Sequence, residues 1–390
     1  MVGVIQAKSH VFYSPTKLVF GPNAAREVAQ EIQQLRGTKV LVVTDPGVVK
    51  ADLLDPVKES LESAGIPYSL FDKVEPEPPG RLVGEGLNQL KAEDCDLVVG
   101  IGGGSSLDVA KGISIMATND GDVLDYGGMD LVPMRGLPKI LMPTTSGTGS
   151  EVTRVSVLTD EKENMKKAIY SLYCLADVAI VDPLLTLTLP PIVTADSGLD
   201  ALVHAIETYV SAEATPFSDI LGARAIELIA QYLPMAWSKG SNIEARYYMS
   251  FGATVAGIAF ASGGLGAVHA LSNCLGIYYH MPHGRSNAVM LPHVMRYNLC
   301  GNYEKFADIA ALMGKDIEGL SEMEAAQLAV EAVEELMDVV QVSYHLRDYG
   351  ISESDLPKLV EGGLKVARLF AVNPRDLTEE DVRSIYQASF

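Results

Sequence analysis

The sequence predicts an α/β unit built on a parallel sheet, followed by an all-α unit, with the division near residue 190. Three observations carry this. Short β-rich runs alternate with helical stretches through the first half, the pattern of strands joined by crossover helices. Leu189-Pro190-Pro191 breaks any element before it, and no strand-type run follows. Beyond that break, apolar residues recur at helical intervals. At 390 residues the chain also exceeds what one hydrophobic core usually organises, so domains over 1–190 and 191–390 are expected.

In chain order, residues 39–44 read as a buried strand that Asp45-Pro46-Gly47 ends. Residues 56–64 read as a helix, 68–71 as a short strand and 81–92 as a second helix. Another buried strand over 96–101 runs into a glycine-rich turn and a helix from about Ser106, and 140–142 and 178–181 supply further strands. After the break, Ser241 with Glu244 and Ser321 with Glu324 have capping-box spacing. Val333, Leu336, Met337 and Val340 fall on one apolar helix face.

Composition narrows the class. With 48% hydrophobic and 21% charged residues the chain can bury sizeable cores. A formal charge of -20 argues against nucleic acid or an anionic membrane as partner, since either would be repelled. The four cysteines, Cys95, Cys174, Cys274 and Cys300, are scattered and read as reduced core thiols of a cytoplasmic protein. The first fifteen residues lack a basic region followed by an apolar core and a cleavage site, so no secretory leader is expected there. Tyr247 to Gly284 contains no Asp, Glu, Lys or Arg and is longer than a membrane span needs. Ser262-Gly263-Gly264 interrupts it, however, and His269, Asn273, His280 and His283 add polar groups that hydrocarbon would penalise. Buried helices lining an internal site are the expectation.

Two loops carry chemistry. The strand over 96–101 leads into Gly102-Gly103-Gly104-Ser105-Ser106-Leu107-Asp108 and then a helix. Glycines let backbone pass close to a phosphate, and the helix start offers free amides with the positive end of its dipole behind them. It is not the GxGxxG fingerprint, and a tight turn is the bland alternative. Thr144-Thr145-Ser146-Gly147-Thr148-Gly149-Ser150-Glu151 is a second loop, whose hydroxyls could bind phosphate or ribose, or merely face solvent. Asp45, at a strand end, could pair with a ribose hydroxyl and would repel a 2′-phosphate, favouring NAD over NADP.

Asp200 and His204 lie four apart on a helical stretch and therefore project from one face, as two ligands of one cation must. His269 and His283 sit downstream in the uncharged run. One carboxylate and three imidazoles suit Fe²⁺ or Zn²⁺ and leave room for a substrate oxygen. Any one of these histidines alone would read as a hydrogen-bonded core residue. Asp196 and Glu207, near the same face, are candidates for supporting or capping roles.

These segments, with Phe12-Tyr13-Ser14-Pro15-Thr16, Phe20-Gly21 and the stretch from His283 to Asn298, resemble the iron-containing (group III) alcohol dehydrogenases, in particular their lactaldehyde reductase branch, over nearly the whole chain. The resemblance implies the dehydroquinate synthase-like fold: a dinucleotide-binding α/β domain and an all-α metal-binding domain. It implies Asp200, His204, His269 and His283 as metal ligands and Gly102, Gly103, Gly104 and Ser105 as the pyrophosphate loop. Asp45, Asp108, Thr144, Thr145, Thr148, Lys166 and Leu184 match cofactor-contacting positions. The cofactors implied are NAD and Fe²⁺, with Zn²⁺ as the alternative, and the chain is expected to form at least a dimer.

The chain also departs from the family. Asn273 stands where many relatives have a proton-relay histidine; because Asn cannot titrate, water, ribose hydroxyls or His280 must carry the proton. Ala176 replaces a frequent proline, and Glu77 a frequent asparagine beside the cofactor cleft. Arg285 is unusual, and is read either as a receptor for an anionic substrate group or as one half of a surface ion pair. The resulting expectation is hydride transfer between NAD(H) and a small alcohol or aldehyde, with His269 and His283 at the reacting oxygen and Asn273 and His280 beside it. A dehydroquinate synthase-like lyase and a non-catalytic cofactor binder are the competing readings.

Overall fold

A computed structural model describes residues 10–15, 17–163 and 165–390; the leader reading over the first residues and the Thr16 match therefore lie largely outside it. Nine strands appear among the described residues: β1 (Lys17–Phe20), β2 (Val40–Val43), β3 (Tyr68–Phe71), β4 (Leu97–Gly102), β5 (Gly128–Met129), β6 (Lys139–Pro143), β7 (Val155–Asp160), β8 (Met165–Tyr170) and β9 (Val178–Val181). Helices α1 (Val28–Gln34), α2 (Pro46–Lys50), α3 (Asp55–Ser63), α4 (Arg81–Ala92) and α5 (Gly104–Met116) intervene. The helical half comprises α6 (Pro191–Val210), α7 (Pro216–Ser238), α8 (Ile243–Gly263), α9 (Ala267–Tyr279), α10 (His283–Asn298), α11 (Tyr303–Leu312), α12 (Glu322–Val339), α13 (Leu356–Leu364) and α14 (Glu379–Ala388).

Six strands form one parallel sheet in the order β1-β9-β6-β4-β2-β3. β2, β4, β6 and β9 are buried at every position, which is why they read as continuous apolar runs. From β2 the chain moves outward to β3, then crosses back to place β4 on the other side of β2. That reversal opens a crevice between the carboxyl ends of β2 and β4, where ligands bind in such sheets. Asp45 follows β2 directly and Gly103 follows β4, so topology brings them together.

The proline break behaves as expected: the last strand ends at Val181, and α6 begins at Pro191 with proline in its first turn. Val333, Leu336, Met337 and Val340 are all buried, and the Ser321–Glu324 capping box is formed. The second expected box is not. Asn242 caps α8 instead, its side chain accepting from the Ala245 amide at 3.1 Å. The uncharged run folds as α8 and α9, bent by 109° and largely buried, and among the described residues no single helix is long and apolar enough to cross a membrane. Three cysteines are buried thiols, but Cys300 is exposed, contrary to expectation.

A small sheet, β5-β8-β7, was not foreseen. In β7 the buried positions are Ser156, Leu158 and Asp160, whereas Val155 and Val157 are only half-buried, so the apolar alternation points the wrong way. The β7–β8 hairpin is antiparallel and carries Lys166.

Candidate metal and dinucleotide site

The glycine-rich loop after β4 begins at Gly102, whose φ of 150° is closed to most side chains, and whose Cβ would meet Ser106 Oγ at 2.5 Å. α5 starts at Gly104 rather than Ser106, and its N-cap Gly103 supplies no side-chain acceptor for the first-turn amides. Residues 103–105 are half-buried while most of α5 behind them is buried, so the positive end of the helix opens at the crevice. The second loop forms the opposite wall. Thr145 and Thr148 lie against Gly103 and Gly104, and the Thr144 amide donates to the Gly102 carbonyl at 2.9 Å. Asp45 stands beside both: its Oδ1 accepts from Gly47 and Val48 amides, and its Oδ2 accepts from Ser106 Oγ at 3.0 Å.

Asp108 has a different place. Its carboxylate accepts from Ser150 Oγ at 2.7 Å and the Val157 amide at 3.0 Å, and it faces the buried Lys111. It therefore ties α5 to the second loop and to β7. Leu184 follows β9, its amide bonded to Asp182, whose carboxylate also holds the Asn23 and Ala25 amides.

Asp200 and His204 come from α6, His269 from the first turn of α9 and His283 from the first position of α10. One ligand atom from each lies within 4.8 Å of every other, although the residues span 84 positions (200 to 283). The His204 and His269 rings stack with centroids 4.9 Å apart. Glu207, one turn beyond His204, bridges two elements: Oε1 accepts from the Val268 amide at 2.6 Å and Oε2 meets His269 Nδ1 at 2.5 Å. A carboxylate can only accept here, so His269 carries its proton on Nδ1 and directs the Nε2 lone pair at the cluster.

Burial disfavours charge on His204, outweighing Asp200, and lowers it to about 4; lost hydration on the inner side of the partly exposed His283 ring, with Lys166 nearby, lowers it to about 3. Burial opposes ionisation of Asp200 as well, yet His204, His283, His269 and the Asn287 amide outweigh it and hold its carboxyl below the usual range. Among the described residues His204 Nδ1 has no hydrogen-bond partner of ordinary geometry, although the Gly147 backbone lies close to the ring. An anionic carboxylate and two neutral imidazoles with available lone pairs are what a divalent cation requires, so these residues fit a metal. His283 keeps 44% of its side chain exposed, leaving one side of the cluster open.

These depressed pKa values set a pH dependence. An unfolded chain titrates both histidines near 6.5, so below that pH it binds more protons than the folded metal-free protein. Stability is complete above about pH 6.5 and falls as pH drops towards about 4. The melting temperature of the metal-free protein should decline across this window, and a flat profile would reject the neutral-imidazole assignment.

Asn287 was not singled out as functional in the sequence, although it lies in a matching segment. It is completely buried, and its Nδ2 sits 2.7 Å from Asp200 Oδ1, 3.1 Å from His269 Nε2 and 3.2 Å from His283 Nε2. Ser272 Oγ holds the other end of the amide. An amide nitrogen has two hydrogens and each Nε2 one lone pair, so a bound cation would displace the histidine contacts and leave Asn287, anchored by Ser272, orienting Asp200. Asn287→Ala should weaken cation binding about 10- to 100-fold, as loss of such supporting groups typically does. Chelator competition measures this directly, and unchanged affinity would remove Asn287 from the site.

The remaining candidates spread outward. Asn273 is half-buried one turn after His269, and its side chain makes no hydrogen bond to another described residue. His280 caps α9 in the left-handed region, φ 53°, and is exposed. Lys166 is paired with Glu77 at 2.6 Å. Arg285 Nε donates to Asp196 Oδ1 at 2.5 Å with both side chains largely buried, so Arg285 is ion-paired but not at the surface as expected, and Asp196 does not join the metal cluster.

A crevice at the strand ends together with an aspartate and three histidines clustered on the helical half is the arrangement of an oxidoreductase class. Profile matches agree: "iron-containing alcohol dehydrogenase" covers residues 15–183 and "Fe-containing alcohol dehydrogenase family, C-terminal" covers 194–390. The chain belongs to the iron-containing alcohol dehydrogenase family and is an alcohol/aldehyde oxidoreductase. It is 44% identical over 378 residues to the 1,3-propanediol dehydrogenase of Klebsiella pneumoniae, covering 96% of this chain and 97% of that one. The crystal structure of a 1,3-propanediol oxidoreductase superposes with a TM-score of 0.96 at 43% identity, over 98% of this chain and all of that one. Sulfoacetaldehyde reductase from Bifidobacterium kashiwanohense, solved in complex with NAD⁺, gives 0.89 at 29% identity over 98% and 99%.

Proposed function

We propose that this chain is an NAD-dependent dehydrogenase interconverting a small primary alcohol and its aldehyde, with residues 1–190 holding the dinucleotide and 191–390 the metal. The observation that carries the reading is the approach of Asp200, His204, His269 and His283 to within 4.8 Å, with one side open. These four would hold Fe²⁺, or Zn²⁺, which the donor set accommodates equally. When bound, the cation would supply Lewis acidity at the substrate oxygen and the nicotinamide a hydride acceptor or donor.

The chain's own residues do the rest. Gly102, Gly103, Gly104 and Ser105 offer first-turn amides of α5 to the pyrophosphate, with Thr144, Thr145 and Thr148 as the facing wall. Asp45 at the β2 end would accept from a ribose hydroxyl and repel a 2′-phosphate, and Leu184 would flank the ribose and adenine side. The NAD⁺ of the Bifidobacterium relative supports this choice of cofactor. Asp108 acts indirectly, because its oxygens already hold the loop. Asn273, one turn from His269 on α9, can orient an oxygen but not take a proton, which leaves water, ribose hydroxyls or exposed His280 as the route. Loading the protein with Fe²⁺ or Zn²⁺ and following NADH absorbance over small aldehydes and alcohols tests the reading. Net NADH oxidation by an aldehyde supports it, whereas bound cofactor without turnover of any substrate overturns it.

A further inference from the structure

We infer that the site takes an uncharged small alcohol or aldehyde and rejects anionic ones, with Glu77 as the residue that sets the preference. This rests on the dehydrogenase reading above and names its substrate class. Two cations stand beside the cluster, and a carboxylate occupies each. Lys166 Nζ and Glu77 Oε1, 2.6 Å apart, lie 3.5 and 3.2 Å from where a Cβ on Gly276 would be. Gly276 follows His269 by two helical turns and Asn273 by one, so all three share the α9 face on which a substrate would rest. The Lys166 charge also reaches His283, where it is one of the influences lowering that imidazole. On the other flank Arg285, two residues after His283, is held by Asp196 at 2.5 Å.

An anionic head group brought out of water needs a free cation or donor to replace its hydration. Lys166 is already paired with Glu77 and Arg285 with Asp196, and the Glu77 carboxylate stands at the α9 face beside Gly276. A carboxylate, sulfonate or phosphate beside Gly276 would lie against Glu77 with Lys166 already paired, whereas a hydroxyl or aldehyde meets no such repulsion. Glu77 is also replaceable. Its φ of 52° lies in the left-handed region, which Asn adopts more readily than Glu, so Glu77→Asn removes the charge at little backbone cost and frees Lys166.

The reconstituted enzyme is offered propanal or sulfoacetaldehyde with NADH, and discrimination is read as the ratio of kcat/KM values. The parent should favour propanal by about a hundredfold, and Glu77→Asn should narrow that ratio about tenfold or more, chiefly through KM for the sulfonate. Adding Lys166→Met to Glu77→Asn should cancel the gain. KM for NADH is measured in each variant, since Lys166 also faces the cofactor side. Calorimetry with propane-1-sulfonate, which cannot react, should detect binding to Glu77→Asn and none to the parent. A parent that reduces sulfoacetaldehyde as well as propanal, or an unchanged ratio in Glu77→Asn, overturns the inference and leaves the dehydrogenase reading standing. A parent that oxidises NADH with neither aldehyde, nor with any other, overturns the dehydrogenase reading itself.

Discussion

His269→Ala should yield a folded protein that retains no cation and has lost turnover. His269 supplies one of four donors, and its ring packs against His204 at 4.9 Å. A four-ligand site of this kind is worth ~10–16 kcal/mol, so losing one donor should weaken binding by roughly a thousandfold or more. The fold should survive, because Glu207 keeps its bond to the Val268 amide and only one carboxylate oxygen loses its partner, at a cost of about 1–3 kcal/mol. Elemental analysis gives the metal content, circular dichroism the fold, and NADH oxidation the activity. A metal-free His269→Ala protein with parental activity would end the assignment of the cluster.

Gly149→Ala should destabilise the protein by roughly 2–5 kcal/mol and raise KM for NADH. Gly149 has φ 61°, where a Cβ costs ~1–2 kcal/mol. That Cβ would lie 2.6 Å from the Gly257 Cα of α8, a backbone atom that cannot rotate away, adding ~1–3 kcal/mol of overpacking. The displaced segment carries Thr144, Thr145 and Thr148, so cofactor binding should suffer alongside the melting temperature. Gly84→Ala is the matched control. It is an exposed position inside α4 with nothing within 4 Å of the added Cβ, and should gain about 0.5–1 kcal/mol. Equal melting temperatures for the two variants would mean the loop does not bear on α8.

Gly149 also shows where sequence reading reaches its limit. In the sequence it belongs to a hydroxyl-rich loop whose glycines admit a ligand; in the fold its role is to let that loop touch a helix more than 100 residues away. β7 escaped notice because Ser156 and Asp160 face inward, Asp160 paired with Lys167, which inverts the expected alternation. Asn242 rather than Ser241 caps α8, a one-residue difference that spacing rules do not resolve. Asn287 carries no charge, so nothing marked it until His269, His283 and Asp200 were found around it.

The amino-acid sequence alone determined the buried strands β2, β4, β6 and β9, the change of architecture at Pro191, the loop after β4 and the Asp200/His204 pair, because each depends on residues within a few positions of one another. Only the tertiary structure decided that His269 and His283 join that pair, that Glu207 orients one of them, and that Glu77 and Asp196 occupy the nearby cations. These are encounters between helices and loops far apart in the chain, and periodicity within one segment holds no information about which other segment it will meet.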